Sequence, residues 1–169
     1  GLLPRRLDIE QGLADGEIEL VHTSGTTEER ITNIWNQKWW DASEEASWRL
    51  NSNMSKIPYG RHKEAILANP RNTGFISDES ELPMEKRRVT RFLYLNEKTD
   101  PANWSSELMN RMIRELGEFQ PEVLEANPSL LARLCRYAGE KGFSIFQPKA
   151  IVITYEYMTR LEHRQIRQV

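Results

Sequence analysis

Cysteine is almost absent: Cys135 stands alone, so no internal disulfide can form, and the expectation is a reducing, cytoplasmic setting. Long apolar runs are missing too. None exceeds Ala150–Ile153, far short of the roughly 20 residues a membrane-spanning helix needs. No charged-then-apolar leader opens the sequence, so nothing in it marks the chain for secretion. An excess of charge of either sign is missing as well. The net charge of −2 argues against nucleic acid as the main partner, because binding a phosphate backbone takes a basic face. The histidines His22, His62 and His163 lack metal-ligand spacing, so no metal site is read from them. Internal repeats and low-complexity tracts are also absent. What is present is 38% apolar and 28% charged residues over 169 positions, enough for a folded soluble domain with one substantial core.

The densest chemical signal is the run Thr23-Ser24-Gly25-Thr26-Thr27, set between two short apolar stretches. Side-chain hydroxyls around one flexible residue suit a polyphosphate: the hydroxyls donate to phosphate oxygens, and glycine lets backbone N–H groups approach. The run is not a Walker-type loop, which needs a second glycine followed by Lys-Ser/Thr and a helix. A plain Thr/Ser-rich hairpin turn explains the same composition.

Periodicity orders the rest. Residues 1–16 are polar with no clear period. Ile18–Val21 and Ile31–Trp35 read as strands on either side of the hydroxyl run. Asp41 with Glu44 opens a helix over about 42–54, with Ala42, Ala46, Leu50 and Met54 on one stripe. Arg61–Ala68 reads as a short helix stopped before Pro70, and 69–87 as a loop or irregular strands. Val89–Leu95 alternates as a strand. Asp100-Pro101 caps a helix running to Leu116 and ended by Gly117; Trp104, Leu108, Met112, Ile113 and Leu116 share its stripe. Pro121–Ala126 is a short strand. Asn127-Pro128 starts a helix to Lys141, with Leu130, Leu131, Leu134, Cys135 and Ala138 inward and Gly142 as its stop. Ala150–Thr154 is a buried strand, and a last helix begins near Arg160.

The predicted class is therefore α/β. A βαβαβα unit over 88–169 forms a parallel sheet with flanking helices, preceded in 1–87 by a strand–loop–strand, a helix and an irregular region. Ligands of such sheets bind beyond the carboxyl ends of the strands, which singles out Tyr155 and Glu156 after the last strand. A packed tyrosine and a solvated glutamate at a helix start are the plain alternative. Trp35, Trp39, Trp40 and Trp48 can shape an acyl pocket, but large aromatics mostly serve core or interface packing. Core packing is the default for Cys135. Glu85-Lys-Arg-Arg88 reads as a solvated charged turn before a strand.

His22-Thr-Ser-Gly-Thr-Thr27 resembles the phosphate-binding loop of the adenylate-forming enzymes, whose pattern is Thr-Ser-Gly-Thr-Thr-Gly-x-Pro. Pro121–Leu134 is similar to that family's Pro-Ser-x-Leu segment before a helix, and Ile151-Val-Ile-Thr-Tyr-Glu156 to its strand ending in a glutamate before the adenine site. The phenylacetate–CoA-ligase-like branch, which includes the CapK-type proteins, is the most similar. The resemblance spans about 18–50 and 88–169. It implies that a carboxylic acid is activated with ATP as an acyl-adenylate and passed to a thiol such as coenzyme A. It also implies that Thr23, Ser24, Gly25, Thr26 and Thr27 grip the β- and γ-phosphates beside Mg²⁺, and that Tyr155 and Glu156 lie near adenine.

The family's aromatic–Gly–x–Thr–Glu segment, ribose-binding aspartate and lid lysine have no counterpart before Val169. The expectation is a fragment of a larger ligase, inactive alone, partnered by the remainder of its polypeptide and open to self-association through exposed sheet edges. Glu28 and Glu29 stand where the family has glycine and its neighbour. They favour one alternative, a degenerate relative that binds nucleotide without adenylating. A non-catalytic α/β interaction domain is the other.

Overall fold

Five strands build the central sheet of the computed structural model, which describes residues 6–22 and 32–168. The chain divides into two compact units, Gly1–Lys56 and Ile57–Val169.

In the first unit a helix α1 (Arg6–Ala14) occupies the stretch in which the sequence shows no period. Strands β1 (Glu19–His22) and β2 (Thr32–Trp35) pair antiparallel from Glu19↔Trp35 to His22↔Thr32, as expected from their β-formers. Helix α2 (Gln37–Leu50) starts earlier than Asp41. Asn36 is its cap, accepting at Oδ1 from the Trp39 amide at 3.0 Å, and Asn51 ends it. None of its residues is fully buried, and Trp39 and Trp40 are 60% and 51% exposed, so these tryptophans are not core residues. The Trp35 and Trp40 rings instead lean on each other at 4.7 Å.

In the second unit, β3 (Glu64–Leu67) replaces the helix expected over Arg61–Ala68. Its side chains are nearly all buried, because β3 lies at the sheet centre, paired parallel with β5 on one side and β6 on the other. An apolar run covered on both faces carries no alternation, so its periodicity resembles that of a buried helix. Pro70 begins a helix rather than stopping one: Asn69 caps α3 (Pro70–Thr73) through the Arg71 amide at 3.0 Å. The stretch before the next strand holds α4 (Met84–Arg87).

The strand expected over Val89–Leu95 is a hairpin of β4 (Arg88–Val89) and β5 (Phe92–Tyr94), turned at Thr90 with φ 50°. Asp100 caps only a single 3₁₀ turn, Pro101–Asn103; Ser105 caps the true helix α5 (Ser106–Phe119) through the Leu108 amide. That helix passes through Gly117, where nothing crowds the backbone, and closes at Gln120 with φ 49°. Strand β6 (Val123–Ala126), helix α6 (Pro128–Lys141) with Gly142 in the left-handed region at its end, β7 (Ala150–Ile153) and α7 (Arg160–Arg167) follow the expected order. β7 is an edge strand, not a buried one: Ile151 is 41% exposed.

The sheet order is β4-β5-β3-β6-β7, with β5, β3, β6 and β7 parallel and β4 antiparallel. Leu67, Leu93, Leu108, Met112, Leu116, Leu124, Leu131 and Leu134 form the centre of one core between the sheet and α5 and α6. Burying each such side chain contributes about 1.5–3 kcal/mol.

The core also holds charge. Arg87, expected in a solvated turn, has no exposed surface. It donates to the Leu82 carbonyl at 2.9 Å, the Tyr94 carbonyl at 2.6 Å and Glu115 Oε1 at 2.5 Å. Arg111 donates to Glu97 Oε2 at 2.6 Å and to the Leu82 carbonyl at 3.0 Å. Two guanidiniums and two carboxylates cancel in charge, and the arginines also satisfy the backbone carbonyls of Leu82, Tyr94 and Leu95.

Candidate functional site

The sheet reverses its direction of growth at β3. The chain first adds β5 on one side, then crosses through α5 to place β6 on the other, and through α6 to place β7. The crevice beyond the carboxyl ends of β3 and β6 is therefore the topological switch point, where open α/β sheets bind ligands. Asparagines gather there. Asn69 follows β3 and caps α3, Asn96 follows β5, and Asn127 follows β6. Asn96 is tied down, its amide donating to the Ala68 and Lys98 carbonyls at 3.3 and 3.1 Å.

Asn127 behaves differently. The sequence assigns it as the cap of α6, yet its side chain makes no cap hydrogen bond. Its backbone N–H continues the ladder to the Leu67 carbonyl at 3.0 Å, and its Nδ2 donates to Glu156 Oε1 at 3.3 Å. Its Oδ1 is buried without a hydrogen-bond partner, in a residue only 5% exposed. An orphaned buried acceptor costs about 1–3 kcal/mol, and a ligand N–H can satisfy it.

Glu156 is held from a second side by the Ser129 hydroxyl, which donates to Oε2 at 2.6 Å. Ser129 sits in the first turn of α6, where the helix dipole favours negative charge. Between Glu156 and the end of β7, Tyr155 takes φ 68°, and the Glu156 N–H returns to the Thr154 carbonyl at 2.9 Å. This three-residue turn is a strained one for a bulky side chain, and such strain is concentrated at functional sites. The Thr154 hydroxyl donates to Glu125 Oε1 at 3.2 Å. Partial desolvation first, then the Glu125 carboxylate and Tyr94, hold the Tyr155 phenol above its ordinary range. Tyr94, stacked on Phe75 at 4.4 Å, is raised by desolvation, Glu125 and Glu64.

Tyr155 and Glu156 thus stand directly beyond β7, at the end of the sheet where the sequence puts them. Asn127 and Ser129 join them there, although neither residue was singled out as a ligand contact. The signal was the Asn-Pro-Ser start of a helix directly after a strand. Thr23, Ser24, Gly25, Thr26 and Thr27 lie outside the described residues, as do Glu28 and Glu29. His22 and Thr32, the last paired residues of β1 and β2, flank that segment, and Thr32 Oγ1 is 3.0 Å from His22 Nδ1.

A second charged cluster marks the amino end of β3. His62, 1% exposed, places Nδ1 3.2 Å from the Pro58 carbonyl and Nε2 2.9 Å from both Glu64 Oε2 and Arg91. It lies at the opposite end of the strand from the switch point. Among the described residues, no group of three or more His, Cys, Asp or Glu side chains can hold a metal ion, and no helix is long and apolar enough to cross a membrane. In the first unit, Trp39 lines a hollow of about 290 Å³ together with Ile9, Ile18, Ile34 and the exposed pair Glu17–Lys38. Cys135 is buried against the sheet, and burial pushes its thiol up to about 11.

No family model matches the chain, and no curated protein matches it.

Proposed function

We propose that this chain contributes nucleotide-binding elements of an ATP-dependent, AMP-forming acyl ligase, one that activates a carboxylic acid as its adenylate and passes it to a thiol such as coenzyme A. The observation that carries the reading is the arrangement past β6 and β7. Asn127 and Ser129 clamp Glu156 at the topological switch point, while Asn127 keeps a buried amide oxygen without a donor. An aminopurine edge supplies the N–H such an oxygen lacks. The open ring of Tyr155 beside it, 65% exposed, offers a stacking face.

In this reading the hydroxyls of Thr23, Ser24, Thr26 and Thr27 and the amide of Gly25 take the phosphates. The resemblance implies Mg²⁺ beside that loop. When bound, the metal supplies charge neutralisation on the leaving pyrophosphate. The resemblance in the hydroxyl run, the Asn-Pro-Ser helix start and the Ile-Val-Ile-Thr-Tyr-Glu strand supports this assignment.

Calorimetric titration with Mg·ATP tests it. Binding should weaken roughly tenfold or more in Thr26→Ala/Thr27→Ala, through the loss of phosphate hydrogen bonds. Binding that is absent, or indifferent to these substitutions, would favour a non-catalytic interaction domain. ATP-dependent pyrophosphate release across a panel of carboxylic acids separates an active ligase from a nucleotide-binding relative that no longer adenylates.

A further inference from the structure

On the outer side of α6, away from the core, a groove of about 380 Å³ runs between α6 and the start of α7. Ser129, Arg133, Arg136, Thr159, Glu162 and Gln165 are among the residues that line it. Arg133 and Arg136 are one helical turn apart and so present both guanidiniums on the same side of α6. The Arg133 guanidinium lies 5.9 Å from the centroid of the Trp104 ring, and its Nε is buried without a hydrogen-bond partner. The Trp104 indole N–H is likewise a buried donor without an acceptor. Both missing partners are acceptors, and of the two residues Arg133 is the one that lines the groove.

The nearby carboxylates do not supply them. Glu162 turns back to its own helix, accepting from the Thr159 amide at 2.7 Å in a capping box. Glu156 is taken by Ser129 and Asn127. Glu140 reaches only Arg136, at 4.0 Å and in the open, a contact of little strength.

We infer that this groove is a second ligand site that binds a phosphate group, with Arg133 as its half-buried fork and Arg136 as its outer charge. Two guanidiniums match a dianion better than a monoanionic carboxylate, and a planar fork held against an aromatic ring is already oriented for bidentate contact. The inference stands on the groove alone and does not depend on the adenylation reading.

The test follows the side-chain Nε–H resonances of the full chain by ¹H–¹⁵N NMR during titration with inorganic pyrophosphate. Arg133→Lys, which keeps the charge, assigns the Arg133 signal by its loss. Pyrophosphate should shift that signal, acetate at equal concentration should not, and Arg136→Gln should weaken the apparent affinity roughly tenfold. Arg136 is exposed and outside the core, so this variant remains folded. The Thr26→Ala/Thr27→Ala variant should leave the Arg133 response unchanged. The inference is overturned if the signal does not move, if acetate moves it equally, if Arg136→Gln has no effect, or if the response disappears with the hydroxyl loop.

Discussion

At the scale of single residues, the strongest constraints are the buried charges around Arg87. Each of its three nitrogens donates to an acceptor, and Glu115 and Glu97 are themselves buried. Replacing Arg87 with alanine leaves the buried Glu115 carboxylate with only the 3.9 Å ion pair to Arg111 and should cost about 3–5 kcal/mol in urea unfolding, far more than an ordinary surface arginine. Arg87→Ala combined with Glu115→Ala should cost less than the sum of the two single changes, because the pair fails as a unit. Cys135 makes a pH prediction. Burial raises its thiol from the ordinary 9.0 to about 11, so the folded chain keeps that proton longer than the unfolded chain. Its contribution is intact below pH 9.0 and is lost as pH rises toward 11. Relative to Cys135→Ala, the native chain should lose about 2–3 kcal/mol across that window, read by denaturant unfolding at each pH.

At the scale of elements, helix ends separate what the sequence spells out from what tertiary contacts decide. Gly142 closes α6 at φ 70°, and the sequence marks it plainly. Gly142→Ala should cost about 1 kcal/mol, since the space around it is open and only the left-handed backbone resists a side chain. Gln120 performs the same turn at φ 49° without being glycine. Gln120→Gly should therefore be neutral or stabilising by up to about 1 kcal/mol; thermal melts of both variants check the opposite signs. Gly117 misled because a helix tolerates an interior glycine when packing on both sides holds it, and Leu116 and Phe119 are both buried. The strand β3 was illegible for a related reason. Glu64-Ala-Ile-Leu67 alternates in neither the helical nor the strand period, and only burial between two parallel neighbours makes it a strand. The regular segments were legible where one face alone is buried, as in α6. Tyr155 and Glu156 could be singled out because strand–helix alternation fixes which end of the sheet they occupy. The clamp on Glu156 could not, since Asn127 and Ser129 precede it by almost the whole crossover.

At the scale of the whole molecule, the chain combines a core-bearing α/β unit with a first unit whose helix α2 buries no residue. The α/β unit carries the switch-point crevice and, on the outer side of α6, a groove with two arginines. We propose that the crevice takes a nucleotide and that the hydroxyl run Thr23–Thr27 is a phosphate-binding loop. Backbone amide spectra recorded during titration with Mg·ATP test this claim most directly. Saturable shifts are expected at Thr23–Thr27, at Asn127 and Ser129, and at Thr154–Glu156. Spectra in which these amides stay fixed at saturating Mg·ATP would contradict it.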